Sequence, residues 1–277
     1  MLRNFYFYYA MTVQRPLKFI LVILVFALCK AYGGPTLNEF LRTTKASSEL
    51  KERAYKMTRS LISDHHQADQ KTLRKLFRKI HSHFLKRYEA LSDFDQLFTK
   101  GKYDCLTATA LFSYALDEMG YDFKLVETNY HIFIMVQTKE GMVLLETTDR
   151  LGGFITDPTA IKERTGEYSK NWLTSRKKNR IQYDYTFKLY QEVSPSRLAG
   201  LLIYNQAVKS YNRGDLQNCA LLLGQAYELY ASVRCEELGD ILTQTLMQRN
   251  VTEEMRASCM AHLKSILMRR EGTLASN

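Results

Sequence analysis

The chain has 277 residues, of which 45% are apolar and 25% are charged; both fractions are ordinary for a globular protein. This length supports a real hydrophobic core and two modest domains, and the composition excludes a disordered or fibrous chain. The formal charge is +10, but four of the 39 basic residues precede residue 34, which leaves 35 basic against 29 acidic residues, a net charge of +6. An excess this mild argues against nucleic-acid binding, whereas it suits association with an anionic envelope surface.

The first 33 residues have the pattern of a secretory signal peptide. Arg15 and Lys18 form a positive flank, residues 19–29 are an uncharged apolar run, and Ala31 and Gly33 supply small residues before a cleavage site after Gly33. We therefore expect residues 1–33 to be removed and the mature protein to be exported, either to the periplasm or out of the cell. The alternative is an uncleaved membrane anchor, although such a short helical run covers only about half of a bilayer core.

Residues 35–100 predict helices, because apolar residues recur there at i, i+3 and i+4. The basic residues between the apolar positions of 73–85 predict a solvated face or a docking surface for an acidic partner. Residues 101–157 predict an apolar helix over 106–119 that stops at Gly120. Three strands follow over 123–128, 131–136 and 142–146, with a hairpin turn at 139–141. A helix followed by an antiparallel meander is an α+β signature.

Residues 151–191 contain Gly152-Gly153, Asp157-Pro158 and many polar residues. We interpret them as loop and cover structure with at least one more strand, at about 181–190. Ser194-Pro195-Ser196 marks a boundary and a helix start. Beyond it, tetratricopeptide-like spacing of small and aromatic residues predicts a helical pair, and two further helices follow, over 198–211, 220–230, 235–248 and 253–270. The mature chain therefore divides into a domain over 34–193 and a helical region over 194–277.

The five cysteines are widely spaced and contain no CxxC pair, so they form neither a disulfide scaffold nor a zinc motif. Cys219, Cys235 and Cys259 lie in helical patterns, where a small buried hydrophobe is expected. Cys105 differs, because it stands at the start of the 106–119 helix. There the helix dipole stabilises a thiolate, and free N–H groups can form an oxyanion hole.

His131 opens a strand just after a turn, so its imidazole can lie at the sheet edge nearest the start of that helix, as the base of a cysteine nucleophile must. The acid that orients the ring would be Glu146 or Asp149, because the hairpin returns the next strand alongside His131. Other histidines, at His65-His66 and His81-x-His83, point to different faces of a helix. We therefore expect no metal and no cofactor.

Four segments within about residues 75–160 resemble bacterial transglutaminase-like proteins of the papain-like cysteine superfamily. Tyr103-Asp104-Cys105-Leu106-Thr107-Ala108-Thr109-Ala110-Leu111 is similar to their cysteine-bearing helix start, and Leu116-Asp117-Glu118-Met119-Gly120-Tyr121 to the end of that helix. His131-Ile132-Phe133-Ile134-Met135-Val136 is similar to their histidine strand, and Gly141-Met142-Val143-Leu144-Leu145-Glu146-Thr147-Thr148-Asp149 to the strand that ends in the acid. The order Cys, His, acid is the family's.

The resemblance implies an α+β, papain/transglutaminase-like core flanked by N-terminal helices and the C-terminal helical region. It implies that Cys105 is the nucleophile, that His131 is the base, and that Tyr103 or the Cys105 amide donates to the oxyanion. For the acid we favour Asp149, because its carboxylate type matches the family and Gly152-Gly153 follows it. Glu146 is the alternative, since Glu146-Thr147-Thr148 aligns best with the family's Asp-Pro-Thr.

On this resemblance we expect an exported cysteine-dependent enzyme that acts on amide bonds through a thioester. With water as the acceptor it would be a peptidase or amidase, and with an amine a transglutaminase-type acyltransferase. The alternative is a non-catalytic envelope module on the same fold. In both cases the substrate or partner is a protein or peptide, and nucleic acid is not expected. Selective alkylation of Cys105 near neutral pH would separate the two hypotheses.

Overall fold

The structure, a computed structural model, describes residues 36–62, 68–129, 131–169 and 189–274. The expected signal peptide at 1–33, most of the strand expected at 181–190, and the pair His65-His66 lie outside the described residues. The part of the chain from Pro35 to Asn277 forms one compact unit. It is mixed helix and sheet, with a five-stranded antiparallel sheet and a helical C-terminal region.

Three N-terminal helices form as predicted: α1 (Leu37–Thr43), α2 (Ser48–Arg59) and α3 (Gln70–His83). Each starts at a side chain suited to capping. Thr36 and Glu39 form a capping box, and the Asp69 carboxylate accepts a hydrogen bond from Thr72 N at 2.7 Å. The apolar faces of α1 and α3 are buried, and they contribute Leu37, Phe40, Leu41, Leu73, Leu76, Phe77 and Ile80 to the core.

A short parallel pair precedes the central helix. β1 (Arg87–Tyr88) pairs with β2 (Lys102–Tyr103), and α4 (Gln96–Thr99) lies between them in the chain. β2 leads directly into α5 (Cys105–Glu118), in which every residue from Leu106 to Leu116 is buried. Its small side chains allow this packing. Gly120 ends the helix with φ of +70°, as a C′ glycine does.

The main sheet is a meander with two added edges. It contains β3 (Asp122–Thr128), β4 (Ile132–Thr138), β5 (Gly141–Leu145), β6 (Phe154–Ile155) and β7 (Tyr190–Val193), in the order β6-β5-β4-β3-β7. All neighbours are antiparallel. The central hairpin turns through two residues, because Thr138 pairs with Gly141. The predicted strands and their turn are therefore confirmed, with bounds that differ by one or two residues.

The interpretation of residues 151–191 as loop and cover is wrong over one stretch, because α6 (Pro158–Ser169) forms there. The Asp157 carboxylate accepts a hydrogen bond from Ala160 N at 2.7 Å, and Pro158 occupies the first helical position. An aspartate cap followed by proline at the first position is a strong helix start. The dipeptide Asp157-Pro158 thus marked a helix rather than a turn.

Beyond a 3₁₀ turn at Pro195–Arg197, four helices follow: α7 (Leu198–Asn212), α8 (Leu216–Leu229), α9 (Val233–Gln248) and α10 (Glu253–Leu274). Helix α7 is shared between two cores, because Leu198, Leu201 and Leu202 join the main core while residues from Ile203 onward pack with α8–α10. A domain boundary near 194 remains a prediction. Among the described residues, no helix combines the length and apolar character needed to span a membrane.

Candidate active site

Cys105 is the first residue of α5, and the start of that helix is rigidly capped. The Asp104 carboxylate accepts a hydrogen bond from Thr107 N at 2.8 Å, and Asp104 N donates to the Thr107 hydroxyl at 2.8 Å. Asp104 is buried, and its burial raises the pKa of the carboxyl. An N–H in the first turn has no acceptor within the helix. The capped helix start therefore holds the backbone of Cys105 in place, with N–H groups of the first turn beside the thiol.

Cys105 also differs from the other cysteines in exposure. Of the four cysteines in the described residues it alone is partly exposed, whereas Cys219, Cys235 and Cys259 are buried in the helical region, as predicted. Burial raises the pKa of Cys219 to about 12 and that of Cys235 to about 11. A thiol that stays protonated and is shielded from solvent reacts poorly. Cys105 is therefore the candidate nucleophile on grounds of access as well as position.

His131 lies between Cys105 and an acid. Its Nε2 is 2.5 Å from Glu146 Oε1, and the Cys105 side chain is near enough to the ring to raise the pKa of His131. Because Nε2 faces Glu146, Nδ1 is the nitrogen left for the sulfur. Burial by itself lowers the pKa of His131, but the polar and charge interactions with Cys105 and Glu146 outweigh it and raise the pKa to about 10. The site thus favours an imidazolium facing the sulfur.

Glu146, and not Asp149, is the acid beside the ring. It follows the last residue of β5 and is 4% exposed. The next residue, Thr147, ties this strand end to α5, since its hydroxyl is 3.1 Å from that of Thr109 and 3.5 Å from the Cys105 carbonyl oxygen. The strand that carries the acid and the helix that carries the sulfur are therefore held together directly.

Asp149, which the sequence analysis favoured, has a different position. Its Oδ1 accepts hydrogen bonds from Leu151 N at 3.0 Å and Gly152 N at 2.9 Å, so it organises the turn after β5. The turn is tight, because a Cβ on Gly153 would lie 2.3 Å from the carbonyl oxygens of Asp149 and Glu146. The Gly152-Gly153 pair therefore accompanies a structural aspartate.

Tyr168 is a site residue that the sequence analysis missed. Its hydroxyl hydrogen-bonds with Glu146 Oε2, and its ring packs on those of His131 and Phe133 with centroids 5.4 and 5.1 Å away. Burial and the adjacent Glu146 carboxylate raise the pKa of Tyr168, so it remains a donor. Tyr168 comes from α6, the helix that was interpreted as loop, so only its proximity in the fold identifies it.

Cys105 and His131 open onto a cleft of about 190 Å³. Tyr103, the candidate oxyanion donor, is not one of its lining residues. Its ring packs edge-on against that of Tyr88, which does line the cleft, with centroids 5.8 Å apart. Leu91 lies on the same wall with φ of +59°, a left-handed conformation that is costly for a residue with a side chain. Of the two candidate oxyanion donors, only Cys105 lines the cleft.

The helical region also lines the cleft. Leu201, Tyr204 and Asn205 of α7 line it, and Asn205 Nδ2 donates to Asp104 Oδ2 at 3.3 Å. Arg234 of α9 also lines the cleft, with its Nε 2.5 Å from Oε1 of the buried Glu127. The cleft is therefore formed jointly by the sheet, α5 and the C-terminal helices.

Metal ligands are not grouped in the described ranges, where no set of three or more His, Cys, Asp or Glu side chains could hold an ion. His81 is buried between aromatic rings, and its burial, with the charge of Arg150, lowers its pKa to about 4. His83 is exposed and hydrogen-bonds with the Lys79 carbonyl oxygen. No protein-family model matches the chain, and the search of curated proteins likewise gave no match.

Proposed function

We propose that the protein is an exported cysteine-dependent amide hydrolase or acyltransferase, with a papain/transglutaminase-like core in which Cys105, His131 and Glu146 carry the chemistry. The observation that carries the proposal is the position of His131, whose Nε2 is 2.5 Å from Glu146 Oε1 and which lines the same cleft as Cys105. A helix bearing the cysteine at its first residue and packing on an antiparallel sheet that bears the histidine supports the proposed core.

In the proposed reaction the Cys105 thiolate attacks the carbonyl carbon of an amide, and the carbonyl oxygen takes the negative charge. The Cys105 N–H is placed to donate to that oxygen. The C–N bond then breaks, His131 gives its proton to the leaving amine, and the acyl group remains on sulfur as a thioester. Neutral His131 next takes a proton from water or from an amine, whose attack releases the acyl group as an acid or a new amide.

Glu146 orients the ring in this scheme. A carboxylate at Nε2 directs Nδ1 towards the sulfur and stabilises the imidazolium. Tyr168 holds the second carboxylate oxygen, so the acid cannot rotate away without breaking two hydrogen bonds. The cleft accommodates an extended peptide or a single amide-bearing side chain more readily than a folded surface, because α7 and α9 form one wall.

The direct test is selective alkylation. Iodoacetamide at pH 6.5–7 should label Cys105 well before Cys219, Cys235 and Cys259, which serve as internal controls in the same chain. Peptide mass spectrometry would locate the label. Cys105→Ser should remove both the labelling and any hydrolysis or amine transfer on a glutamine-containing peptide, and the circular dichroism spectrum should be unchanged.

His131→Ala supplies the second arm. If the imidazolium supports the thiolate, this change should slow Cys105 labelling near neutral pH by at least about tenfold, because a hydrogen bond to a charged group contributes about 1.5–3 kcal/mol. Labelling at the rate of an ordinary thiol in the wild type, unchanged in His131→Ala, would contradict the enzyme proposal. The same fold would then be a non-catalytic module that binds a protein or peptide.

A further inference from the structure

A second cleft lies away from Cys105, between α3 and the turn after β5. It measures about 420 Å³, and its lining includes four cations, Arg74, Arg78, Lys79 and Arg150, and the apolar residues Leu151 and Phe154. We call it the basic groove. Helix α3 contributes three of the cations and contains no acidic residue along its length. This groove shares no lining residue with the Cys105 cleft.

The cations of the basic groove are not neutralised by the parts of the chain that the structure describes, in which none of the four is within 4.0 Å of a carboxylate oxygen. Asp149, the acid in the adjoining turn, directs its Oδ1 to the amides of Leu151 and Gly152. The Arg74 guanidinium lies over the Phe154 ring at 4.0 Å. Like charges placed together without counter-charge repel one another, and a bound anion would relieve that repulsion.

Leu151 stands at the rim of the basic groove and is 96% exposed. Its turn is rigid, because Gly153 N donates to the Asp149 carbonyl at 3.0 Å and Glu146 N donates to the Gly153 carbonyl at 2.7 Å. The leucine is thus held in solvent rather than left there by a loose loop. A ligand that only filled the groove would leave this side chain in water.

We propose that the basic groove and Leu151 form a docking site for an anionic lipid bilayer. A bilayer presents phosphate groups at the level of the cations and an apolar layer just beyond, where an isolated projecting leucine can insert. An acidic peptide would satisfy the charges but would have to supply a separate pocket for Leu151. This proposal is independent of the chemistry at Cys105, and it would place that cleft near a membrane surface.

The test is sedimentation of the full chain with vesicles. Vesicles containing phosphatidylglycerol should bind the protein in excess over pure phosphatidylcholine vesicles. Arg78→Gln/Lys79→Gln should reduce the anionic-lipid partition coefficient roughly 30-fold, since each basic residue near an anionic surface contributes about a factor of five. Leu151→Ser should reduce it about tenfold, as expected for leaving a leucine in water. All three positions are exposed, so folding should be unaffected.

The matched control variants replace basic residues and a leucine at exposed positions outside the basic groove. Lys100→Gln/Lys162→Gln takes two charges from exposed positions outside the groove, and Leu229→Ser changes another exposed leucine. Both should retain wild-type partitioning. The proposal would be overturned if the control pair lost as much binding as the groove pair. It would also be overturned if Leu151→Ser bound normally while inorganic phosphate or polyglutamate released the protein, because the groove would then recognise a free anion or an acidic protein.

Discussion

Two buried glutamates lie on either side of β4, the strand that His131 directly precedes, and their carboxylates have different cationic partners. Glu127 lies in β3 and is 2% exposed; Glu146 follows β5 and is 4% exposed. Glu127 takes a guanidinium, with Arg234 Nε at 2.5 Å, and a hydrogen bond from the Tyr230 hydroxyl at 2.9 Å. Glu146 takes the imidazole of His131 and the hydroxyl of Tyr168.

The difference lies in the cation. A guanidinium keeps its proton under any physiological condition, so the Glu127 corner is a permanent ion pair that ties the sheet to α9. An imidazole can release its proton, so the Glu146 corner can change charge during a reaction. A carboxylate, a cation and a phenol therefore meet on both sides of β4. At Glu127 this arrangement anchors α9 to the sheet. At Glu146, in the proposed function, it handles protons during the reaction.

The largest effect is expected at the anchor. Arg234→Met would leave the Glu127 carboxylate buried without a cation, and breaking one partner of a buried pair costs about 3–5 kcal/mol. The free energy of unfolding, measured by urea denaturation, should fall by that amount. Arg234→Met/Glu127→Gln should recover part of the loss because no charge is then left unpaired. A loss below about 1 kcal/mol in the single variant would mean that the corner does not anchor α9.

The next effect separates the two candidate acids. Glu146→Gln removes the charge that faces His131, so Cys105 alkylation at neutral pH should slow about 10- to 100-fold, the equivalent of a charged hydrogen bond. Asp149→Asn is the matched control, and it should leave the rate within about twofold because Asp149 only organises the following turn. If Cys105 alkylation were slow in Asp149→Asn and normal in Glu146→Gln, Asp149 rather than Glu146 would be the orienting acid.

The two corners should also respond differently to pH. The folded-state pKa of His131, about 10, lies above its ordinary value of about 6.5. A raised pKa stabilises the fold fully below about pH 6.5, and this contribution is lost as the pH rises through about 10. The free energy of unfolding should therefore fall between pH 7 and 9 by about 2–3 kcal/mol, since one pKa unit corresponds to about 1.4 kcal/mol. Arg234 does not make the free energy of unfolding depend on pH between 7 and 9, because its guanidinium does not titrate in that range.

The comparison to make is His131→Asn against His83→Asn. His131→Asn should flatten the decline in stability above pH 7, whereas loss of the exposed His83 should leave it as in the wild type. Equal slopes in all three proteins would show that groups other than the Cys105–His131–Glu146 cluster produce the decline.

Much of the fold follows from local patterns. The helices, the glycine stop at Gly120 and the hairpin turn near 139–141 are all short-range features, and they appear where the sequence predicted them. The identity of the acid could also have been predicted from the sequence. Thr138 pairs with Gly141, and continuing this register places position 146 opposite Phe133. Phe133 and His131 are two residues apart, so position 146 lies on the same face of the sheet as His131. Position 149 lies on the other face. Strand alternation therefore favoured Glu146 over the family-like Asp149.

The remaining contacts could not be derived in this way, because they join distant parts of the chain. Tyr168 reaches Glu146 from a helix 22 residues on, and Arg234 reaches Glu127 across 107 residues. No periodicity or spacing encodes such pairs, since they depend on how helices pack on the sheet. The wall that α7 adds to the cleft is a tertiary feature of the same kind.

The smallest expected effect concerns Tyr168, and it tests whether the phenol positions the acid. Tyr168→Phe keeps the ring that packs on His131 but removes the donor to Glu146 Oε2. The lost hydrogen bond is charge-assisted, but the phenol acts on the sulfur only through Glu146, so Cys105 alkylation should slow less than in Glu146→Gln, by about two- to tenfold. A merely structural tyrosine would lower stability without changing the pH at which labelling reaches half its maximum. A positioning tyrosine should shift that midpoint, since the freed carboxylate can rotate from the imidazolium.

Tyr190→Phe, at another aromatic neighbour of Phe133, is the control and should leave both the rate and the midpoint unchanged. An unshifted midpoint in Tyr168→Phe would restrict the proton-handling cluster to Cys105, His131 and Glu146.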